Sequence, residues 1–208
     1  MAADRWPAIH AERKALIADL DKVTEEQWAT KSLCAQWSVR DVLAHMTATA
    51  KMTPPRFIGK FAGAGFRFNG MTAKGITGEL GASPADTLNR FKGELAATTH
   101  PPGPLDAMVC EAVVHGEDIR RPLGIAHTYS AEALTITGDF VTNSNLLLGG
   151  KGRAAGLTLR PNDVDWVKGT GPEVTGPMIS ILLALTGRAI GLEHLAGDGL
   201  ATLKERVA

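Results

Sequence analysis

The sequence predicts a mainly α fold: an up-and-down four-helix bundle followed by a small α+β domain. Four long segments carry apolar residues at the spacing of a helix face, namely "WPAIHAERKALIADLDKV", "SVRDVLAHMTATAKM", "LDAMVCEAVVHGEDI" and "AEALTITGDFVTNSNLLL". A glycine cluster in "LLLGGKGRAAG", residues 146–156, then ends the helical pattern. Beyond it, short runs alternate apolar and polar residues between turn-forming pairs. The boundary is therefore placed after residue 150, giving a bundle over residues 1–150 and an α+β domain over 151–208.

The first helix begins near Trp6, and its early charges leave no apolar stretch of signal-peptide length, which predicts a cytoplasmic protein. The second has a well-marked start. Ser38 is the expected N-cap, Asp41 stands three residues on in a variant of the capping box, and Trp37 and Val42 occupy the positions of a hydrophobic staple. Val42, Leu43 and Met46 make its apolar stripe, so His45 points into the bundle or its mouth. "TPPRFIGKFAGAGFRFNGMTAKGITGELGASP" is too rich in glycine for one continuous helix and reads as a long loop with short helical pieces over one end of the bundle. A further helix restarts with Ser83 as cap and Pro84 at its first position, and is expected on the outside.

The third and fourth long helices follow. In the tail, Pro161-Asn162-Asp163 and Gly169-Thr170-Gly171 separate strand-like runs as in hairpins, Pro177 opens a short helix ended by Gly187, and "DGLATLKERV" forms a last one. Two or three such strands cannot bury a core alone, so the tail must dock on the bundle.

Composition excludes several classes of function. Lysine plus arginine equals aspartate plus glutamate at 22 each, so no overall charge draws the chain to nucleic acid or anionic lipid, and a small-molecule partner is expected. The apolar run "MISILLALTGRAIGL" is interrupted by Gly187 and Arg188 and is too short to span a membrane. Two cysteines, Cys34 and Cys110, cannot make a disulfide framework; each reads as a small buried hydrophobe.

The chemistry concentrates in "CEAVVHGED". Residues four apart on a helix stack on one face, so Glu111 and His115 project together from an apolar helix. Burying an ionised carboxylate without a partner costs several kcal/mol, and a divalent metal would offset that cost. Glu111, His115 and His45 from the second helix make a three-ligand set of the His₂Glu kind, with one coordination position left open. Asp118, three residues after His115, is placed to orient its ring. The plain alternative is a hydrogen-bonded helix pair with no metal. Other motifs fail: "GGKG" lacks the residues of a phosphate-cradling loop, "GTGPEVTG" is misspaced for a dinucleotide fingerprint, and neither Ser38 nor Ser180 sits in a nucleophile elbow. His10, His100, His127 and His194 are isolated and read as surface or packing residues.

The stretches "LCAQWSVRDVLAHM", "EAVVHGEDIRRPLG" and "GPMISILLALTGR" together resemble the mycothiol-dependent maleylpyruvate isomerase family of actinobacteria, whose bundle is of the DinB-like superfamily. The resemblance runs in order over nearly the whole chain. It implies a divalent metal, usually zinc, held by the positions equivalent to His45, Glu111 and His115, and mycothiol as the thiol cofactor. It also implies that Arg188, in the element Leu185-Thr186-Gly187-Arg188, faces the cleft, where a guanidinium can clamp an acidic group of substrate or thiol; the alternative is a cation at a helix C-terminus beside a glycine cap. The expected protein is thus a monomeric or homodimeric isomerase or thiol transferase acting on a small electrophilic substrate, without nucleic-acid or membrane partners. The alternative is a non-catalytic protein that holds a metal or small ligand in the same cleft.

Overall fold

A computed structural model of the chain describes residues 4–145 and 148–207. The fold is mainly helical, and it divides into two compact units, residues 1–127 and 128–208.

The first unit holds six α-helices: α1 (Trp6–Leu20), α2 (Val39–Ala50), α3 (Pro54–Gly63), α4 (Phe68–Glu79), α5 (Pro84–Gly93) and α6 (Asp106–Arg120). A short 3₁₀ turn, Glu26–Ala29, lies between the first two. On α1, Ile9, Arg13, Leu16 and Leu20 bury one stripe at helical spacing. Leu16 and Leu20 meet Val39, Val42, Leu43 and Met46 of α2, Ile119 of α6, and Leu88 and Phe91 of α5 in one core. The buried guanidinium of Arg120 donates to Asp19 at 2.8 Å and ties α6 to α1.

Two expectations change here. The glycine-rich segment after Met52 is not mainly loop: Thr53 caps α3, and α4 follows a tight turn at Gly65 and Phe66. The helix begun by Ser83 and Pro84 starts as expected but is not an outer one, since Phe91 is fully buried in the core. Arg40 pins this corner by donating to the carbonyls of Leu80 and Gly81 at 2.8 and 3.1 Å and to the Thr87 hydroxyl at 2.9 Å.

The second unit contains α7 (Ala131–Asn143), α8 (Gly150–Ala154), β1 (Thr158–Pro161), β2 (Glu173–Gly176), α9 (Met178–Leu185), the 3₁₀ segment Ala189–His194 and α10 (Leu200–Val207). The sequence placed the fourth long helix with the bundle and the boundary after residue 150, whereas the division by contacts falls at 127/128. Gly138 is where α7 comes close to the tail residues. A Cβ there would meet Met178 Cε at 2.4 Å and the Trp166 ring at 3.0 Å, so the bare backbone lets α7 press against the residues of the tail. The expected continuation of that helix through Leu146 and Leu147 lies outside the described residues.

The strands also differ from expectation. They pair in parallel, Thr158 with Glu173 and Leu159 with Val174, not as a simple hairpin. The chain first folds back so that Leu159 and Lys168 form an antiparallel bridge. It then turns again at Gly169 and Gly171, both at positive φ, and re-enters in the original direction. Leu159, Val174, Met178 and the buried residues of α9 give this unit its own core, with Leu157 and Leu203.

If α5 is a core helix, Phe91→Ala costs roughly 3–5 kcal/mol, the range for a buried phenylalanine, against less than ~1 for an outer position. Urea unfolding of the two proteins measures the difference.

Candidate metal centre

The start of α2 fixes where His45 lies. The Ser38 hydroxyl accepts the Asp41 N–H at 3.2 Å, and the Asp41 carboxylate accepts the Ser38 N–H at 2.9 Å, completing the capping box. With Val39, Val42, Leu43 and Met46 buried, the helix cannot rotate, and His45 stands at the edge of its apolar stripe. The Trp37 ring lies 5.0 Å from the His45 ring. From α6, Glu111 and His115 face the same place. His45 Nε2 is 3.9 Å from Glu111 Oε1, and the His45 and His115 rings are 5.0 Å apart and nearly perpendicular. The structure therefore brings together all three expected ligands.

Their electrostatics are unusual for neighbours on a helical bundle. Burial pushes the Glu111 carboxyl up to about 7, against the opposing pull of His115, a Thr49 hydrogen bond and Arg13. Burial likewise brings His45 down to about 3, helped by the neighbouring His115 and opposed by Asp118. Glu111 Oε1 is buried and, among the described residues, has no hydrogen-bond partner. An orphaned carboxylate oxygen beside a histidine kept neutral suits a divalent cation: two imidazole nitrogens and one carboxylate oxygen form a set that zinc accepts. The donor types are those the resemblance implies, although the one group of described residues whose ligand atoms all lie within 4.8 Å of one another is Cys34, His115 and Asp118.

A second arrangement lies on the other side of His115. Its Nδ1–H donates to Asp118 Oδ2 at 2.8 Å, which leaves Nε2 with the lone pair. The orienting role expected for Asp118 thus has its geometry. The same oxygen accepts the Cys34 thiol at 3.0 Å, and Sγ is 3.9 Å from His115 Nδ1. Cys34 reaches this point because the Leu33 N–H donates to the Asp118 carbonyl at 3.2 Å, while Ser32 and Trp37 close a tight turn around it. Ligand atoms of Cys34, His115 and Asp118 lie within 4.8 Å of one another, close enough to hold a metal themselves. Sequence reasoning set Cys34 aside, because nothing local reveals which α6 residue its turn meets. Arg13, whose guanidinium donates to the carbonyls of Glu94 and Ala97 at 3.0 Å, was also missed as a charge acting on Glu111.

The remaining candidates are placed as follows. Arg188 follows α9 in the second unit, where its guanidinium donates to the Thr186 carbonyl at 2.7 Å. His10 bonds the Ala97 carbonyl, His127 bonds Glu12 at 2.8 Å, His100 bonds the Pro101 carbonyl, and His194 is exposed. Cys110 is buried. No helix among the described residues is long and apolar enough to cross a membrane.

Fold and site together define a class: a DinB-like helical bundle with an inward His and a Glu-x-x-x-His pair, joined to a small α+β unit. Residues 9–100 match the family model described as the mycothiol maleylpyruvate isomerase N-terminal domain, a span that includes His45 and ends before Glu111. Two solved structures resemble the chain over 93% of its length and 91% of theirs. One is a histidine-to-alanine mutant of the mycothiol-dependent maleylpyruvate isomerase, at 12% identity and a TM-score of 0.57. The other is the mycothiol-dependent maleylpyruvate isomerase without that substitution, at 14% identity and a TM-score of 0.53. No curated protein matches. Residues 9–100 thus resemble the N-terminal domain of mycothiol-dependent maleylpyruvate isomerases, and the chain shares the fold of the two solved structures.

If this set holds a metal, binding is expected to depend on pH. Glu111 would have to lose its proton to bind, so its titration weakens zinc binding as pH falls below about 7, while His45, neutral down to about 3, contributes nothing to the change in that range. Zinc titrations at pH 6, 7 and 8 check this. In the metal-free protein the two groups act oppositely on stability. Glu111, raised from 4.5, contributes stability that is present at low pH and lost as pH rises through about 7. His45, lowered from 6.5, contributes stability that is present above 6.5 and lost as pH falls toward 3.

Proposed function

We propose that His45, Glu111 and His115 hold a divalent metal, zinc by donor type, in an enzyme that uses mycothiol or a similar low-molecular-weight thiol to isomerise or transfer a small electrophilic, acidic substrate. The observation that carries this reading is the orphaned Glu111 Oε1, buried 3.9 Å from His45 Nε2. When bound, the metal would supply a Lewis-acid position at which a thiol is held as thiolate at neutral pH.

The chain's own residues prepare that position. Asp118 holds the His115 Nδ1 proton and so keeps Nε2 available. Glu111 contributes the negative charge that offsets the cation, and Trp37 covers one side of both histidine rings, at 5.0 Å from His45 and 6.3 Å from His115. Arg188 is assigned to an acidic group on substrate or thiol, a role that suits a guanidinium's two-pronged recognition of carboxylate. The family match and the two isomerase structures support the thiol dependence, and maleylpyruvate is the first substrate to try.

A second reading rests on Cys34, His115 and Asp118, which also lie within metal-binding reach. The first set is favoured because Asp118 is already satisfied by two protein donors, whereas Glu111 Oε1 is not. The non-catalytic alternative, a metal-holding protein with a closed coordination sphere, draws support only if a fourth protein ligand is found.

Elemental analysis of protein purified without a metal-affinity tag separates these readings. We expect about one zinc or similar ion per chain, lost in His45→Ala and Glu111→Gln and kept in Cys34→Ser. Loss in Cys34→Ser with retention in Glu111→Gln moves the metal to the other side of His115. No metal in the wild type, even after incubation with zinc, ends the metal proposal. The wild-type protein loaded with zinc should also melt higher than the stripped protein, since a ligand of the native state stabilises it.

A further inference from the structure

The balanced charge of the whole chain conceals an uneven distribution. Between residues 51 and 78 stand Lys51, Arg56, Lys60, Arg67 and Lys74, with no aspartate or glutamate. Lys51 pairs with Glu79 at 2.8 Å, whereas Arg56, Lys60, Arg67 and Lys74 are exposed. Four of the six phenylalanines lie in the same segment, Phe57, Phe61, Phe66 and Phe68. Helix α3 buries no residue, an odd outcome for a helix carrying Phe57, Ile58 and Phe61.

Three of the four exposed large hydrophobic side chains among the described residues belong to this hairpin: Ile58 at 67%, Phe66 at 72% and Phe68 at 42% exposure. Phe66 is also the one described non-glycine residue with positive φ, at +58°. That backbone state is costly for a bulky side chain, and here it sets the ring outward at the tip, edge-on to Phe61 at 5.6 Å. Beside the hairpin a cavity of about 400 Å³ is lined by Lys51, Arg56, Gly59, Lys60 and Glu79. Its size suits a phosphate-bearing headgroup.

We infer that the α3–α4 hairpin docks the protein on an anionic membrane surface, with Ile58, Phe66 and Phe68 entering the interface and Arg56, Lys60, Arg67 and Lys74 meeting lipid phosphates. Charge complementarity selects this occupant: four exposed cations without a nearby free acid match an anionic surface. The apolar side chains protrude singly from a convex hairpin, as in an amphipathic interfacial helix, and separate rings enter a lipid layer without a complementary partner shape.

The test is flotation of the full chain with vesicles of phosphatidylglycerol and phosphatidylcholine, or of phosphatidylcholine alone, for the wild type, Arg56→Glu/Lys60→Glu and Phe66→Ser. These positions lie outside the bundle core, so retained metal content and melting temperature verify the fold. The wild type should float with anionic vesicles only, lose binding as salt rises, and bind at least about tenfold more weakly after either substitution. Absence of flotation, or flotation that neither variant weakens, overturns the proposal. So does sedimentation showing a wild-type dimer and a Phe66→Ser monomer without vesicle binding, because a second copy then covers the hairpin.

Discussion

A carboxylate shut away from water must be answered by some other group, and this requirement organises α6. Asp118 and Glu111 sit two turns apart on that helix and are answered differently. Asp118 accepts two hydrogen bonds from the protein, one from a histidine ring and one from a thiol, and is fully buried. Glu111 keeps one oxygen unanswered. The difference makes the two faces of the His115 ring unequal, one closed by protein and one waiting for something to arrive.

What surrounds α6 serves the same end. The capping box sets the rotation of α2, the core of Leu16, Leu43, Phe91 and Ile119 locks the helices together, and the turn around Cys34 is hung from the Asp118 carbonyl. None of these contacts involves a ligand directly. Each removes a freedom from the side chains of His45, Glu111 and His115, which would lower the ordering cost of binding a ligand there.

Much of this was legible in the sequence, because it depends on local rules. Ser38 and Asp41 announce a helix start whatever lies elsewhere, and the four-residue interval between Glu111 and His115 fixes their shared face. What escaped depends on contacts distant in sequence. Cys34 meets Asp118 across 84 positions, and no local pattern records that meeting. Phe91 lies in a short helix whose apolar residues look ordinary until α2 is placed beside it. The parallel pairing of β1 and β2 was misread as a hairpin because turn residues signal that the chain reverses, not how many times it does so before the strands meet. The even charge count holds for the whole chain, but a sum carries no information on where the charges stand.

Helix α3 buries none of its residues, and this separates its sequence from the demands of folding. A core position changes only within the volume its neighbours allow. Positions on α3 meet no such veto, so substitutions there leave the bundle and its histidines where they are. The cations and aromatic rings of α3 are therefore free to meet something outside the chain without disturbing the bundle beneath.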